Sequence, residues 1–538
     1  MPAPGIESKR LSIAGRLATS YSRAVISPRF ASVVLAAIIV WEFLALLFRA
    51  KNKRFWYDEL VTFHLSALQP FSRLQEALRV GADSMPRGYY MLVRLARMLP
   101  GDPLLTLRLP SIFGYLLCLL GIYWFATKKL PVLAGLMAVI LITLSPFRGY
   151  AIETRSYALM MGFIALSLAA WQRIGDRQIM TPIFALLLAL AVACHPLAVV
   201  TIACFAAAEV ASTILSRKVR WGAWAAFLIG ACPFFVELPT LTYTRSIYAA
   251  HFWARPSWST VFLTYSEYLG FDAKPALALV VLIAIVLGRL LRKSWRANNG
   301  TPVAGFSAPE LVLIGAFLVY PAFLIMLIKL GDAGYTGRYG WPGLLGLALG
   351  IVCVVQALSH QSSFTRPFTV LLIAFAVRGA LHLTPVSQPH ATLTDGQWTG
   401  LIRMAHDEPD LPVLIASGHS FLDEVDYGPA ELHDRVFTVA DRAAAVRLTG
   451  SDSLDLVNGI LARFTPLQVE APAAFLAAHQ RFILRSGGDG DWFTRYLLEK
   501  NYRLTLRSQE TDSLIYIAEK EPGQLAMSSV AGVVSGRK

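Results

Sequence analysis

Five short strings in the first 345 residues collect the side chains that chemistry would need. The first is Phe55-Trp56-Tyr57-Asp58-Glu59, preceded by Lys51, Lys53 and Arg54. A carboxylate at the edge of an apolar span is partly desolvated, which raises its pKa, while nearby cations lower it. That competition is how a general base is tuned. On position alone the pair also fits a helix start, with Asp58 as N-cap and Glu59 in the first turn. The second string runs Asp83-Ser84-Met85-Pro86-Arg87-Gly88-Tyr89-Tyr90 and the third Glu153-Thr154-Arg155-Ser156-Tyr157. Glu153 and Tyr157 are four residues apart, one helical face. His195-Pro196 is the fourth. The fifth, Gly334-Tyr335-Thr336-Gly337-Arg338-Tyr339-Gly340-Trp341-Pro342, is a glycine-rich turn delivering an arginine, the side chain suited to hold a phosphate by two parallel hydrogen bonds. Each has a plainer alternative: Arg338 snorkelling, Arg155 pairing with Glu153, His195 satisfied within a core.

The elements that must position these groups follow from composition. Of 538 residues, 55% are hydrophobic and 16% charged, with a mean hydropathy of +0.52 and a net charge of +14. Residues 1–384 hold 35 basic and 15 acidic side chains, whereas 385–538 hold 14 and 20. Such a chain is neither a soluble enzyme nor a disordered or nucleic-acid-binding protein. It reads as a polytopic membrane protein with an acidic soluble tail. The five cysteines, Cys118, Cys194, Cys204, Cys232 and Cys353, sit in apolar runs without paired spacing and read as buried small hydrophobes. Lys9, Arg10, Arg16, Arg23 and Arg29 precede the first apolar span, which reads as an uncleaved signal anchor.

Eleven segments are apolar enough to be membrane-span candidates: 31–49, 106–126, 130–146, 154–172, 179–194, 196–215, 221–238, 275–291, 309–329, 340–357 and 367–384. Alternate loops carry Lys128-Lys129, Arg173 with Arg177, Arg217-Lys218-Val219-Arg220, Arg292-Lys293 with Arg296, and Arg366. By the positive-inside rule those loops and the N-terminal segment 1–30 are cytoplasmic. Loops 50–105, 147–153, 239–274 and 330–339, together with the acidic tail, are then outside. Segments 58–80 and 86–100 read as two amphipathic helices on the outer surface. Residues 385–520 alternate strand-like and helix-like runs, an α/β pattern, and 521–538 read as a disordered tail.

The ordered set formed by Phe55 to Glu59, Asp83 with Pro86 and Tyr89-Tyr90, Leu107-Arg108-Leu109-Pro110-Ser111, Glu153 to Tyr157, and Arg338-Tyr339 with Pro342 resembles the GT-C superfamily of membrane glycosyltransferases. More narrowly it resembles the bacterial relatives of protein O-mannosyltransferases and of the lipid A aminoarabinose transferase. The resemblance spans residues 30–345. It implies an all-α polytopic bundle, here of about eleven transmembrane helices spanning 31–384, with a small C-terminal α/β soluble domain. It also implies sugar transfer from a polyprenyl-phosphate donor at the outer face of a bacterial cytoplasmic membrane. Many relatives carry His-Pro-Pro where this chain has Ser84-Met85-Pro86-Arg87, a departure that counts against metal dependence.

On this reading Asp58 is the base, and Glu59 and Glu153 orient it. Arg338, with Tyr339, Arg155 and Arg87, neutralises the departing lipid phosphate. Tyr57, Asp83, Tyr89, Tyr157 and His195 line the substrate cavity. The resemblance fixes no cofactor, and a divalent cation held by Asp58 and Glu153 stays open. The acceptor would be a glycolipid, a polysaccharide or a protein. Two other classes stay open. A lipid-substrate transporter should show repeats and ionisable groups at the bilayer midplane; only Glu42, Glu209 and Arg378 sit there. An inactive scaffold with a partner-binding tail would not need intact acids at 58, 59 and 153.

Overall fold

The computed structural model describes residues 27–296, 305–358, 365–383, 398–487, 491–510 and 513–521. The N-terminal segment 1–26 and most of the tail expected to be disordered lie outside the described residues. The chain divides into two compact units, 1–249 with 254–392 and 250–253 with 393–538.

The first unit is helical, and each of the eleven apolar segments contains a helix. Six are long and apolar enough to cross a membrane: Arg29–Lys51, Pro103–Thr127, Pro196–Ser216, Trp221–His251, Ala273–Arg296 and Ala308–Leu330. A seventh arises if Val132–Leu144 and Pro146–Ile152, bent by 71°, form one broken span. Tyr157–Trp171, Met180–Cys194 and Pro342–Leu358 are apolar but shorter. At 1.5 Å per residue a fifteen-residue helix reaches only about 22 Å, less than the roughly 30 Å of hydrocarbon. By length and composition, then, fewer helices among the described residues qualify as spans than the sequence suggested.

Local chemistry sets the breaks. Ser27 caps the first helix by accepting from the Phe30 amide at 3.2 Å, with Pro28 in its first turn. Asp102 does the same for Pro103–Thr106. Segment 58–80 is not one surface helix but two, Tyr57–Ala67 and Phe71–Arg79, because Pro70 cannot continue a helix. The other, Arg87–Arg97, starts at Pro86 as the pattern implied. Cys232 is exposed, unlike the four buried cysteines.

Two helices define the floor of the site. Leu109–Thr127 and Tyr157–Trp171 approach so closely that a Cβ on Gly114 would strike the Leu159 backbone. Small residues at such a crossing let backbones touch in an apolar medium. The close approach sets the starts of both helices side by side, and Ser111 Oγ donates to the Arg155 carbonyl at 2.9 Å.

The second unit is built on a six-stranded sheet ordered β3-β2-β1-β4-β6-β5, with β1 Val413–Ile415, β2 Val436–Val439, β3 Val469–Glu470, β4 Arg481–Ser486, β5 Tyr502–Gln509 and β6 Leu514–Lys520. β1 to β4 are parallel, Val413 pairing with both Val436 and Ile483, while β6 runs antiparallel to β4 and β5. β1 is buried throughout, as a strand covered on both faces must be. The α/β pattern of the tail is the pattern found.

Candidate active site

Asp58 and Glu59 open the surface helix Tyr57–Ala67, so consecutive side chains leave it in different directions. Glu59 is fully buried and Arg108 beside it equally so. Arg108 donates from Nε at 2.8 Å and from a terminal nitrogen at 2.9 Å, a two-point clasp. The Thr154 amide donates to the same carboxylate at 2.7 Å, and Lys53 Nζ stands 3.5 Å away. Burial alone would raise the Glu59 carboxyl; Arg108, then Lys53, outweigh it and hold the group below the usual carboxylate range. Arg108 also donates to the carbonyls of Ala50, Lys53 and Arg54 and lies over the Phe55 ring. Glu59 and Arg108 thus pin the first span's exit, the first surface helix and the Glu153 turn together.

Asp58 points elsewhere. Its side chain is 21% exposed, and one oxygen accepts from Arg338 at 2.7 Å; Arg155 Nε lies 4.0 Å from it. Arg338 comes from the short turn Gly337–Gly340, 280 residues away in sequence. Its guanidinium sits between the rings of Trp56 and Tyr157, each 5.6 Å from it, and donates to Thr336. Burial opposes its charge, but Tyr157, Asp58 and Tyr339 outweigh burial and keep the guanidinium protonated.

Arg155 is nearly buried and does not pair with Glu153. It grips Asp83 with both terminal nitrogens, at 2.9 and 3.2 Å, and donates to Thr62 and to the Asp58 carbonyl. The same Asp83 accepts from the Tyr90 phenol at 2.7 Å and turns the chain through the Ser84 and Met85 amides. Tyr89 is buried against Tyr90, its hydroxyl without a partner among the described residues. Tyr57 is buried as well. Arg87 faces away from this group: it pairs with Glu237 at 2.9 Å and donates to the Val236 carbonyl.

Glu153 has the least company. One oxygen lies 3.8 Å from Lys53 Nζ; the other is buried and has no hydrogen-bond partner among the described residues. Its carboxyl is pushed up to about 7, chiefly by burial and further by Glu59 and Asp58, against the pull of Lys53 and Arg338. His195 packs with its ring tilted against Tyr157 and Tyr339, at 5.3 and 5.7 Å, and its Nδ1 accepts from the Leu197 amide. Burial, then Arg155 and Arg338, lower the imidazole to about 3, so it is neutral.

Two residues received no role in the sequence reading. Arg108 entered it only within the string Leu107 to Ser111, and nothing in the sequence disclosed its hold on Glu59. Glu267, on the helix Ser259–Leu269, lies so close to Gly337 that a Cβ there would collide with its carboxylate, which is raised by burial against the pull of Arg338. An isolated acid within Thr264-Tyr265-Ser266-Glu267-Tyr268 carries no recognisable spacing.

The carboxylates do not suit a resident divalent cation. Asp58 faces Arg338, Glu59 faces Arg108, Asp83 faces Arg155, and Glu153 faces Lys53. Among the described residues no three His, Cys, Asp or Glu side chains group as metal ligands do.

This bundle, with its long first loop bearing paired acids and its late Arg-Tyr turn, shares its fold with a solved bacterial protein, ArnT. Among solved structures it is similar to ArnT from Cupriavidus metallidurans in the apo state, with a TM-score of 0.51 at 14% identity, covering 91% of this chain and 98% of that one. ArnT bound to undecaprenyl phosphate gives 0.50 over the same shares and at the same identity. No protein-family model matches the sequence, and no curated protein does.

Proposed function

We propose that the chain is a glycosyltransferase of the bacterial cytoplasmic membrane, moving a sugar from a polyprenyl-phosphate donor to an acceptor hydroxyl on the outer face. The N-terminus is cytoplasmic and the α/β domain extracytoplasmic in this reading, with the basic loops setting the orientation. The observation that carries it is the 2.7 Å contact between Asp58 and Arg338, which puts a candidate base and a candidate phosphate-binding group one hydrogen bond apart. The similar ArnT structure with undecaprenyl phosphate bound supports the donor class.

Asp58 takes the proton of the acceptor hydroxyl as that oxygen attacks the anomeric carbon. The bond from that carbon to the phosphate oxygen breaks, and the phosphate leaves with the electron pair. Arg338 stabilises the growing negative charge, which is where electrostatic catalysis contributes most. Single displacement inverts the anomeric configuration. Donor and base compete for one guanidinium: when the donor phosphate engages Arg338, the Asp58 oxygen it held is released to accept a proton. Glu153, titrating near neutrality with one oxygen unpaired, orients the acceptor. Tyr339, Tyr157 and His195 form the apolar wall beside the guanidinium. Glu59, Arg155 and Asp83 act as positioning residues, and Arg87 ties its helix to Trp221–Tyr248.

The test is incubation of the purified protein with a panel of polyprenyl-phosphate sugars and candidate acceptors, reading release of lipid phosphate. Release with at least one donor, dependent on an acceptor, supports the reading. No release with any donor, from protein that is folded, contradicts it.

A further inference from the structure

The proposed mechanism gives Glu267 no role, yet the helix that carries it, Ser259–Leu269, fastens the turn that presents Arg338. Thr264 Oγ1 and the Tyr335 hydroxyl share a hydrogen bond of 3.0 Å, and the Tyr268 hydroxyl donates to the Gly340 carbonyl. The Tyr268 ring stacks on Trp341 at 5.0 Å, and the Tyr335 amide donates to the Ala254 carbonyl at 2.9 Å. A Cβ on Gly340 would come within 2.6 Å of both phenolic oxygens, so glycine is what lets the two rings close on the turn. Thr264 and Tyr268 lie on either side of Glu267 in the helix, and their bonds fix where its carboxylate goes.

That place is beside Gly337, the residue before Arg338, in the space a Cβ there would need. Asp58, Glu153 and Glu267 all lie within the field of Arg338. Tyr150 lies within the fields of both glutamates. The three acids differ in their partners. Asp58 is held by Arg338 itself, and Glu153 lies 3.8 Å from Lys53. Glu267 makes no hydrogen bond or ion pair among the described residues. It is exposed although protein crowds it enough to raise its carboxyl, the setting of a side chain on the wall of an opening rather than on a convex surface.

An ionised carboxylate has about four acceptor positions, and the described residues use none of these. In the proposed reaction Arg338 holds the donor phosphate, and the sugar is joined directly to that phosphate. A carboxylate beside the preceding residue is placed for the hydroxyl groups of the sugar ring, and hydrogen bonds from hydroxyl to carboxylate are short and strong. We infer that Glu267 binds hydroxyl groups of the transferred sugar and so helps set which donor the chain accepts. A site built to take hydrogen bonds from a hydroxyl rejects analogues that lack it. This inference rests on the proposed transfer reaction and on Arg338 as the phosphate-binding group.

The experiment uses the purified full chain in detergent, with two ligands: the polyprenyl-phosphate sugar that the wild type turns over, and the same polyprenyl phosphate without a sugar. Binding of each is measured by native mass spectrometry, and donor and acceptor KM from release of lipid phosphate. Glu267→Gln should weaken binding of the sugar-bearing donor by about tenfold, the difference between a charged and a neutral acceptor. The donor KM should rise to match, and the acceptor KM and binding of the sugar-free lipid should stay as in the wild type. Arg338→Gln should weaken both ligands. Equal weakening of both ligands by Glu267→Gln would make Glu267 a support for Arg338 and overturn the sugar contact. Wild-type donor binding by that variant, or a rise in acceptor KM alone, would overturn it as well. If the folded wild type turns over no donor, the transfer reading fails and this inference with it; if it does and only the Glu267→Gln result is contrary, this inference alone fails.

Discussion

Asp58 and Glu59 are neighbours in sequence and opposites in setting. Glu59 is sealed, clasped by a buried arginine on two oxygens and by a backbone amide on one of them. Asp58 is partly open and shares a single oxygen with an arginine from a distant turn. Burial has made one acid a strut and left the other free to change partners. In the proposed reaction such a two-residue acidic motif divides its work, Glu59 holding the fold and Asp58 doing the chemistry, in keeping with their unequal hydrogen bonding.

Breaking the sealed half should have the largest effect on stability. Glu59→Ala leaves Arg108 buried and uncompensated, a loss on the order of 3–5 kcal/mol. Thermal unfolding in detergent should show a lower midpoint, or the protein should fail to accumulate in the membrane. Asp58→Asn sharpens the contrast from the other side. It should fold like the wild type yet lose transfer activity by roughly 10²–10⁴-fold, the usual contribution of a general base.

A more moderate effect is expected at Glu153. Its carboxyl titrates near 7, so an orienting role needs pH above that value, and activity should rise through neutrality. Glu153→Gln should flatten that inflection in the pH–rate profile. The stability sign is opposite. A carboxyl raised in the folded state binds protons that the unfolded chain has released, so wild-type stability falls as pH climbs from about 4.5 to 7, and the glutamine variant should not show this fall. The smallest effect belongs to Arg87→Ala. Its pair with Glu237 is partly exposed, so the change should cost no more than about 1 kcal/mol and leave turnover near wild type. A loss of activity comparable to that of Arg338→Ala would instead return Arg87 to the phosphate site.

The helical bundle was legible because apolar runs and basic loops report membrane insertion directly. The span count was less so: hydropathy cannot see that Pro146 bends one segment or that Tyr157–Trp171 is too short to cross alone. Pro70 announced a break that amphipathic periodicity had bridged. At the site, residue types and order pointed to Asp58, Glu153 and Arg338. Partners did not follow from spacing. The clasp of Arg108 on Glu59 spans 49 positions and that of Arg338 on Asp58 spans 280, and only the packed bundle closes such distances. The same holds for Arg155, which a local reading paired with Glu153 and which instead grips Asp83.

The most direct test of the account compares lipid-phosphate release by wild type and Asp58→Asn in a single turnover, on a donor the wild type uses, with matched unfolding midpoints. The account predicts normal donor binding and release slowed by at least about a hundredfold. Release at the wild-type rate by folded Asp58→Asn would contradict it.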